Sequence, residues 1–493
     1  MARRRPIIYN ALMLTAVNLL LRFVGTGFQV YISATLGAAG VGLMQLVMSV
    51  GSMAMVAGTA GVRTGTMYLT AEELGHGRAQ QLTGVLGGCL RYSVVCSGAV
   101  AAALYLLSPV LARQWIRDFR TVDSLRLFAV FLPVSCLCGV MTGYFTGAGR
   151  IGTLAAVEVA EQLCSMAITV TALRFWAGGD PGRSCMSMIL GSSLGSVLTL
   201  WVLALLRLRE SSGPGTALRL RGRLLRTAVP LALADDLKTG INTAENLMVP
   251  RRLSACDAVS DPLAAFGLLS GMVFPVLMFP ACILYSLAEL LIPEMARCAA
   301  GGQRGRIQSL SRRSLRIALL YGLLFGGLEY LLAQPLCDAL YHTPDAGQAL
   351  RRYAILIPML YCDCITDAIN KGLGEQRRCV RINILTSALD VALLYLLLPR
   401  LGMGGYFISF AVTHALNFLL SLRLLLRSTG QRLPLGAAVP ALAAGPFSVL
   451  AAMQLPGNAA RAAGFCGVFF SLLFLLGVTK KTDLRWLRAL VRR

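Results

Sequence analysis

The chain has 493 residues, of which 56% are apolar and only 14% charged, and its 46 basic and 23 acidic side chains leave a net charge of +23. A soluble domain carries about 25% charged residues. This composition therefore excludes a water-facing globule, a disordered chain and a disulfide-stapled secreted module, and leaves a polytopic membrane protein.

A helix crosses a bilayer core with about 20 apolar residues. Runs of that length lie at 7–36, 41–69, 82–112, 127–149, 151–173, 184–206 and 227–250 in the first half of the chain. They continue at 262–288, 317–337, 353–370, 382–399, 401–422, 433–460 and 462–479. The fold class expected is thus all-α polytopic membrane protein with about fourteen transmembrane helices. The runs lack the alternation of barrel strands. If every run crosses and the N-terminus is cytoplasmic, one side collects 30 basic loop residues and the other 12. That bias predicts cytoplasmic N- and C-termini in the cell membrane. The positive charge then belongs to the cytoplasmic face, where anionic headgroups attract it, and no nucleic acid is required.

Three matches share one spacing. Leu125-Arg126, Ala129 and Pro133 recur as Leu350-Arg351, Ala354 and Pro358; Gly147-Ala148-Gly149 recurs as Gly372-Leu373-Gly374; Gly42-Leu43 recurs as Gly267-Leu268. The separation of Gly42 from Gly267 is also that of every other pair. This repeat spacing predicts two parallel six-helix repeats (helices 1–6 and 7–12), with helices 13–14 appended, and parallel repeats suit rocking about a central cavity. The expected divisions are a lobe at 1–206, a basic cytoplasmic linker at 207–226, a second lobe at 227–427, and helices 13–14 with a basic tail at 428–493.

Several chemistries lack their residues. No glycine-rich loop ends in Gly-Lys-Ser or Gly-Lys-Thr, which an ATP-driven pump needs to cradle phosphate. Gly191-Ser192-Ser193-Leu194-Gly195 matches a nucleophile elbow, but in the middle of an apolar span small residues four apart predict close helix packing instead. An enzyme is not expected. The fourteen cysteines are scattered without a Cys-x-x-Cys pair, and only three histidines accompany them, so neither metal nor other cofactor is expected.

Ionisable residues inside spans are expensive and mark functional surfaces. Asp235, Lys238, Asn242 and Glu245 recur every three to four residues along helix seven, with Asp236 beside them. Helix ten carries Asp363 and Asp367, helix five Glu158 and Glu161, helix one Arg22 and helix two Arg63. The plain alternative for any one of them is an internal ion pair. As groups, they predict cavity lining, because the few intramembrane bases cannot neutralise the acids. Arg22, Arg63, Lys238 and Asn242 are the candidate headgroup-binding residues; the carboxylates are candidates for a coupling ion or the cavity wall. Asp390 and Glu329, alone on their helices, are read as structural.

Three segments carry a family resemblance. YISATLGAAGVGL at 31–43, ENLMVPRRL at 245–253 and FPACILYSLAELLIPE at 279–294 resemble the multidrug/oligosaccharidyl-lipid/polysaccharide exporter superfamily. Within it they are most similar to the stage V sporulation protein B-like branch, relatives of the lipid II flippases. The resemblance implies two six-helix lobes around a cavity and alternating access for an undecaprenyl-pyrophosphate-linked saccharide. It also implies pyrophosphate binding by arginines on helices one, two and eight. Arg22 and Arg63 match the first two by local context, whereas 262–288 holds no arginine. The expected partners are a lipid-linked saccharide substrate, the lipid bilayer and proteins of cell-envelope synthesis. Two other readings stay open: a cation-coupled multidrug antiporter of the same fold, and a non-transporting scaffold for envelope or spore assembly.

Overall fold

The computed structural model describes residues 4–76, 79–209, 220–431 and 435–478; within its helices the side chains of 4–18, 75, 79, 151, 220–235 and 435–437 lie outside that description. Every regular element among the described residues is helical: α1 (Arg4–Thr59), α2 (Val62–Gly75), α3 (Leu82–Val110), α4 (Val122–Gly147), α5 (Ile151–Ala172) and α6 (Pro181–Leu208). After 210–219 follow α7 (Leu220–Leu253), α8 (Pro262–Gly267), α9 (Phe274–Met278), α10 (Ala281–Ala300), α11 (Arg304–Tyr341) and α12 (Pro344–Ala354). The chain then forms α13 (Ile357–Gly372), α14 (Gln376–Leu401), α15 (Met403–Thr429), α16 (Leu435–Met453) and α17 (Asn458–Leu475). Nine helices among the described residues are long and apolar enough to cross a membrane, or ten if the bent pair Pro262–Met278 and Ala281–Ala300 is one span. The protein is an all-helical polytopic membrane protein.

The difference from fourteen has local causes. α1 holds two helical stretches, broken at Gly37, whose φ of 69° and ψ of 173° suit glycine alone. The run expected at 41–69 is interrupted again at Ala60–Gly61, both at positive φ. The run expected at 262–288 is not straight: a π turn at Leu268–Val273 and a 65° bend before Ala281 break it. The carbonyls there are held by hydroxyls from elsewhere in the fold. Ser33 donates to Gly271 O at 2.7 Å, Tyr341 to Met272 O at 3.1 Å, Tyr361 to Leu277 O at 3.1 Å and Tyr321 to Pro280 O at 2.8 Å. Such donors make a broken helix tolerable away from water. The run expected at 353–370 is likewise divided, by the turn at 355–356 just before Pro358. α16 is shorter than a full span, with its apolar part at Ala438–Met453.

The helices group into two compact units. One contains the chain up to Phe28, then Leu36–Arg251 and Asp261–Gly267; the other contains Gln29–Thr35, Arg252–Ser260 and the chain from Leu268. Packing thus groups α7 up to Arg251 with the helices before it, whereas the division drawn from the repeat begins a new lobe at 227.

The repeat spacing reappears in the backbone. α4 ends at Gly147 and α13 at Gly372; α5 begins at Ile151 and α14 at Gln376; α2 ends at Gly75 and α10 at Ala300. In the first unit, Arg150 N–H donates to Phe145 O, and Gly149 has a φ of +74°. In the second, Glu375 N–H donates to Asn370 O, and Gly374 has a φ of +85°. Both are left-handed helix ends that glycine permits. A Cβ at Gly147 would come 2.5 Å from Met67 O, and one at Gly372 would come 2.7 Å from Ile292 O, again one spacing on. Within the first unit the register is reciprocal. A Cβ at Gly42 would lie 2.3 Å from Leu263 O, and one at Gly267 would lie 1.9 Å from Ala38 O. Adding the repeat spacing to Gly42 and Ala38 gives Gly267 and Leu263, so each contact maps onto the other.

Candidate functional site

In the first unit, the polar residues gather where α2, α4, α5 and α6 meet. Arg63 is exposed on α2, one residue after the fully buried Val62, so the helix presents its guanidinium away from the core. Its charge reaches Glu158, which also feels Glu161 one turn along α5. Cys138 on α4 lies within the field of all three. Ser196 on α6 donates to Glu161 Oε1 at 3.4 Å. The close approach of α5 and α6 depends on Gly191 and Gly195: a Cβ at the first would come 2.7 Å from Ser165 O, and one at the second 1.9 Å from Ser165 Oγ. The Gly-x-Ser-x-Gly match is therefore a helix-packing face.

α1 touches this group next to Arg22. Gln162 of α5 donates to Leu21 O at 3.0 Å, and Arg22 is exposed one residue on. Along α7 the expected stripe divides. Thr243 donates to Ser49 O at 3.0 Å and Asn246 Nδ2 to Ser49 Oγ at 2.9 Å, so these two pack on α1. Lys238 and Asn242 are exposed and one turn apart, while Asp236 and Glu245 are half-buried. Arg22, Asp236 and Glu245 are each engaged by a neighbour. The side chain of Asp235 lies outside the described residues.

In the second unit, the acids are tied down. Asp363 Oδ2 accepts from Asn417 Nδ2 at 2.9 Å, and Asn417 Oδ1 accepts from Thr386 Oγ1 at 3.1 Å. The other oxygen of Asp363 is buried without a hydrogen bond from a described residue. Asp367 pairs with Lys371 one turn on, at 2.5 Å. Asp390 is 8% exposed and accepts from Ser409 Oγ at 2.6 Å and Thr413 Oγ1 at 3.0 Å, which agrees with its structural reading. Glu329 is 6% exposed on α11, and its Oε2 accepts no hydrogen bond from a described residue.

The structure thus brings Arg63 together with Glu158 and Glu161, and separately ties Asp363 to Asn417 and Asp367 to Lys371. Reading the sequence missed Asn417, Thr386, Ser196 and Ser49. All are small polar residues within apolar spans; only their spatial neighbours reveal their part.

This arrangement of broken and straight spans is the fold of transporters of the MOP superfamily. An inward-facing multidrug resistance MATE family transporter of that superfamily matches 85% of this chain and 100% of its own, with a TM-score of 0.67 and 14% identity. The lipid II flippase MurJ in its inward closed conformation matches 93% of this chain and 98% of its own, with a TM-score of 0.70 and 11% identity. The chain is also a distant homologue of stage V sporulation protein B of Bacillus subtilis (strain 168), 21% identical over 431 residues, which are 81% of this chain and 79% of that protein. Sporulation protein YkvU of the same organism is 21% identical over 281 residues, 54% of this chain and 61% of that protein. No family model matches the chain.

Proposed function

We propose that the chain is a flippase that moves an undecaprenyl-pyrophosphate-linked oligosaccharide or peptidoglycan precursor across the cell membrane. A diphosphate-sugar headgroup cannot enter about 30 Å of hydrocarbon unaided. Two six-helix lobes related by the internal repeat, with α16 and α17 appended and the basic segment 207–226 as their link, would carry it by alternating access. In this reading fourteen crossings leave both termini in the cytoplasm. Arg22, Arg63, Lys238 and Asn242 bind the headgroup. Asp235, Asp236, Glu245, Glu158, Glu161, Asp363 and Asp367 line the route or hold a coupling cation or proton. Without ATP the drive is membrane potential or an ion gradient, worth about 2.3 kcal/mol per charge per 100 mV.

The observation that carries the reading is Arg63. A guanidinium exposed on a membrane-length apolar segment is costly unless it meets water or an anion, and among the described residues the half-buried carboxylates of Glu158 and Glu161 on α5 lie near it. The fold shared with a lipid II flippase supports the same reading. The acids and the fold shared with a multidrug transporter also support a second one, cation-coupled efflux. Substituting Arg22, Arg63 and Asp367 singly and measuring leaflet exposure of lipid-linked precursor in cells separates the two. Loss with the arginine variants supports the flippase. Normal exposure with altered cationic-dye efflux would replace it by the antiporter, and no effect on either would leave a scaffold.

A further inference from the structure

The second unit holds a basic cleft between the start of α14 and the end of α15. Arg378 and Arg381, in the first turns of α14, share a hollow of about 500 Å³ with Arg423 and Arg427, in the last turns of α15, over a floor of Ile382, Leu420 and Leu424. A second hollow of about 320 Å³ continues past Arg423 and Arg427 to Leu419, Leu422 and Leu426. We propose that this cleft is a binding site for an anionic phospholipid of the surrounding bilayer, with the phosphate on the arginines and an acyl chain along the leucines of α15.

Charge is the first argument. Arg378 donates to Glu375 Oε1 at 3.0 Å, so its charge is partly answered. Among the described residues, Arg381, Arg423 and Arg427 make no hydrogen bond or ion pair. Like charges crowded at one helix pair repel unless an anion joins them, and guanidinium forks match phosphate oxygens. The apolar wall is the second argument. Leu419 is 59% exposed beside the arginines, and a free phosphate would gain nothing from it. A phospholipid uses both surfaces at once. Position is the third: α14 begins and α15 ends here, at the end of two spans, where phospholipid headgroups lie.

The repeat supplies a control. The corresponding positions of the first repeat, on α5 and α6, are Thr153, Ala156, Leu198 and Val202. The helix pair packs without arginines there, so its geometry does not demand them in the second unit. The cleft is independent of the transport reading, because none of its residues belongs to the proposed headgroup or coupling sites.

The test uses the purified full-length chain in detergent and native mass spectrometry with phosphatidylglycerol, phosphatidylcholine, inorganic phosphate and undecaprenyl pyrophosphate as separate probes. The double variant Arg423→Gln/Arg427→Gln should weaken phosphatidylglycerol binding about thirtyfold, the effect of two interfacial arginines. The charge-matched Arg304→Gln/Arg312→Gln should leave it within about twofold, and Arg423→Lys/Arg427→Lys should restore part of it. Phosphatidylcholine should bind weakly to all. Equal loss in the two Gln variants would reduce the effect to bulk attraction and overturn the site. Displacement by millimolar inorganic phosphate would make it a simple anion site, and preferential binding of undecaprenyl pyrophosphate would assign it to the carrier lipid; each overturns the proposal.

Discussion

The two units share a frame and differ in chemistry. At the junction of α4, α5 and α6 the acids stand on α5, as Glu158 and Glu161, with Arg63 of α2 beside them and Cys138 on α4. Their counterparts in the second repeat, in the same order, are Asn383, Thr386, Ala288 and Asp363. The acid has moved to α13, the arginine has become alanine, and the neighbours are amides and hydroxyls. The frame repeats because it is steric: Gly147 and Gly372 each press against a carbonyl one spacing apart, and Gly149 and Gly374 end their helices in the same left-handed turn. Charge is free of that constraint.

The largest expected effect tests the shared frame. Gly147→Ala and Gly372→Ala should each cost about 3 kcal/mol, since a methyl group would have to displace backbone. Thermal unfolding in detergent should show similar losses for the two and additivity in the double variant. A large loss in one and none in the other would break the equivalence. The next effect tests the difference. Asn417→Ala, which leaves the buried carboxylate of Asp363 without its 2.9 Å donor, should cost about 2 kcal/mol. Ser196→Ala, which removes a 3.4 Å contact to the half-buried Glu161, should cost about 0.5 kcal/mol or less. Equal costs would mean the acids of the two units are held alike.

A further difference lies at Asp118, in a loop of the first unit, whose place an uncharged residue takes in the second. Asp118 accepts from Arg120 N–H at 2.9 Å and pairs with its guanidinium at 2.8 Å, which holds the carboxyl below the ordinary aspartate range. Its counterpart in the second repeat is Thr343, which caps α12 with no side-chain hydrogen bond. Asp118→Asn should cost about 1 kcal/mol. Because the folded carboxyl titrates below the unfolded one, this contribution is complete above the unfolded value, near pH 4, and is lost as pH falls through the folded value. Thr343→Val should lack that acid dependence when melting is followed from pH 7 to pH 3.

Much of the fold was legible because hydrocarbon imposes a simple rule of length and charge. The breaks were not. Pro133 sits inside α4 and leaves it continuous, while its counterpart Pro358 follows a turn. Gly322 of α11 lies so close to the second proline that a Cβ would come 2.7 Å from its Cα. The α7 stripe was visible as a period. Only the position of Ser49 separates Thr243 and Asn246, which pack, from Lys238 and Asn242, which stay exposed. In sequence the four arginines of the cleft are only cytoplasmic charge, since two helices must meet before they form a site.

In the proposed flippase, Arg63 serves a lipid-borne anion. That role is tested most directly by fluorescent labelling of lipid-linked precursor on the outer face of intact cells carrying wild type, Arg63→Lys or Arg63→Ala at equal protein level. Labelling should fall about tenfold or more in Arg63→Ala, with partial recovery in Arg63→Lys, whose charge persists but whose fork does not. Wild-type labelling by Arg63→Ala would contradict that role.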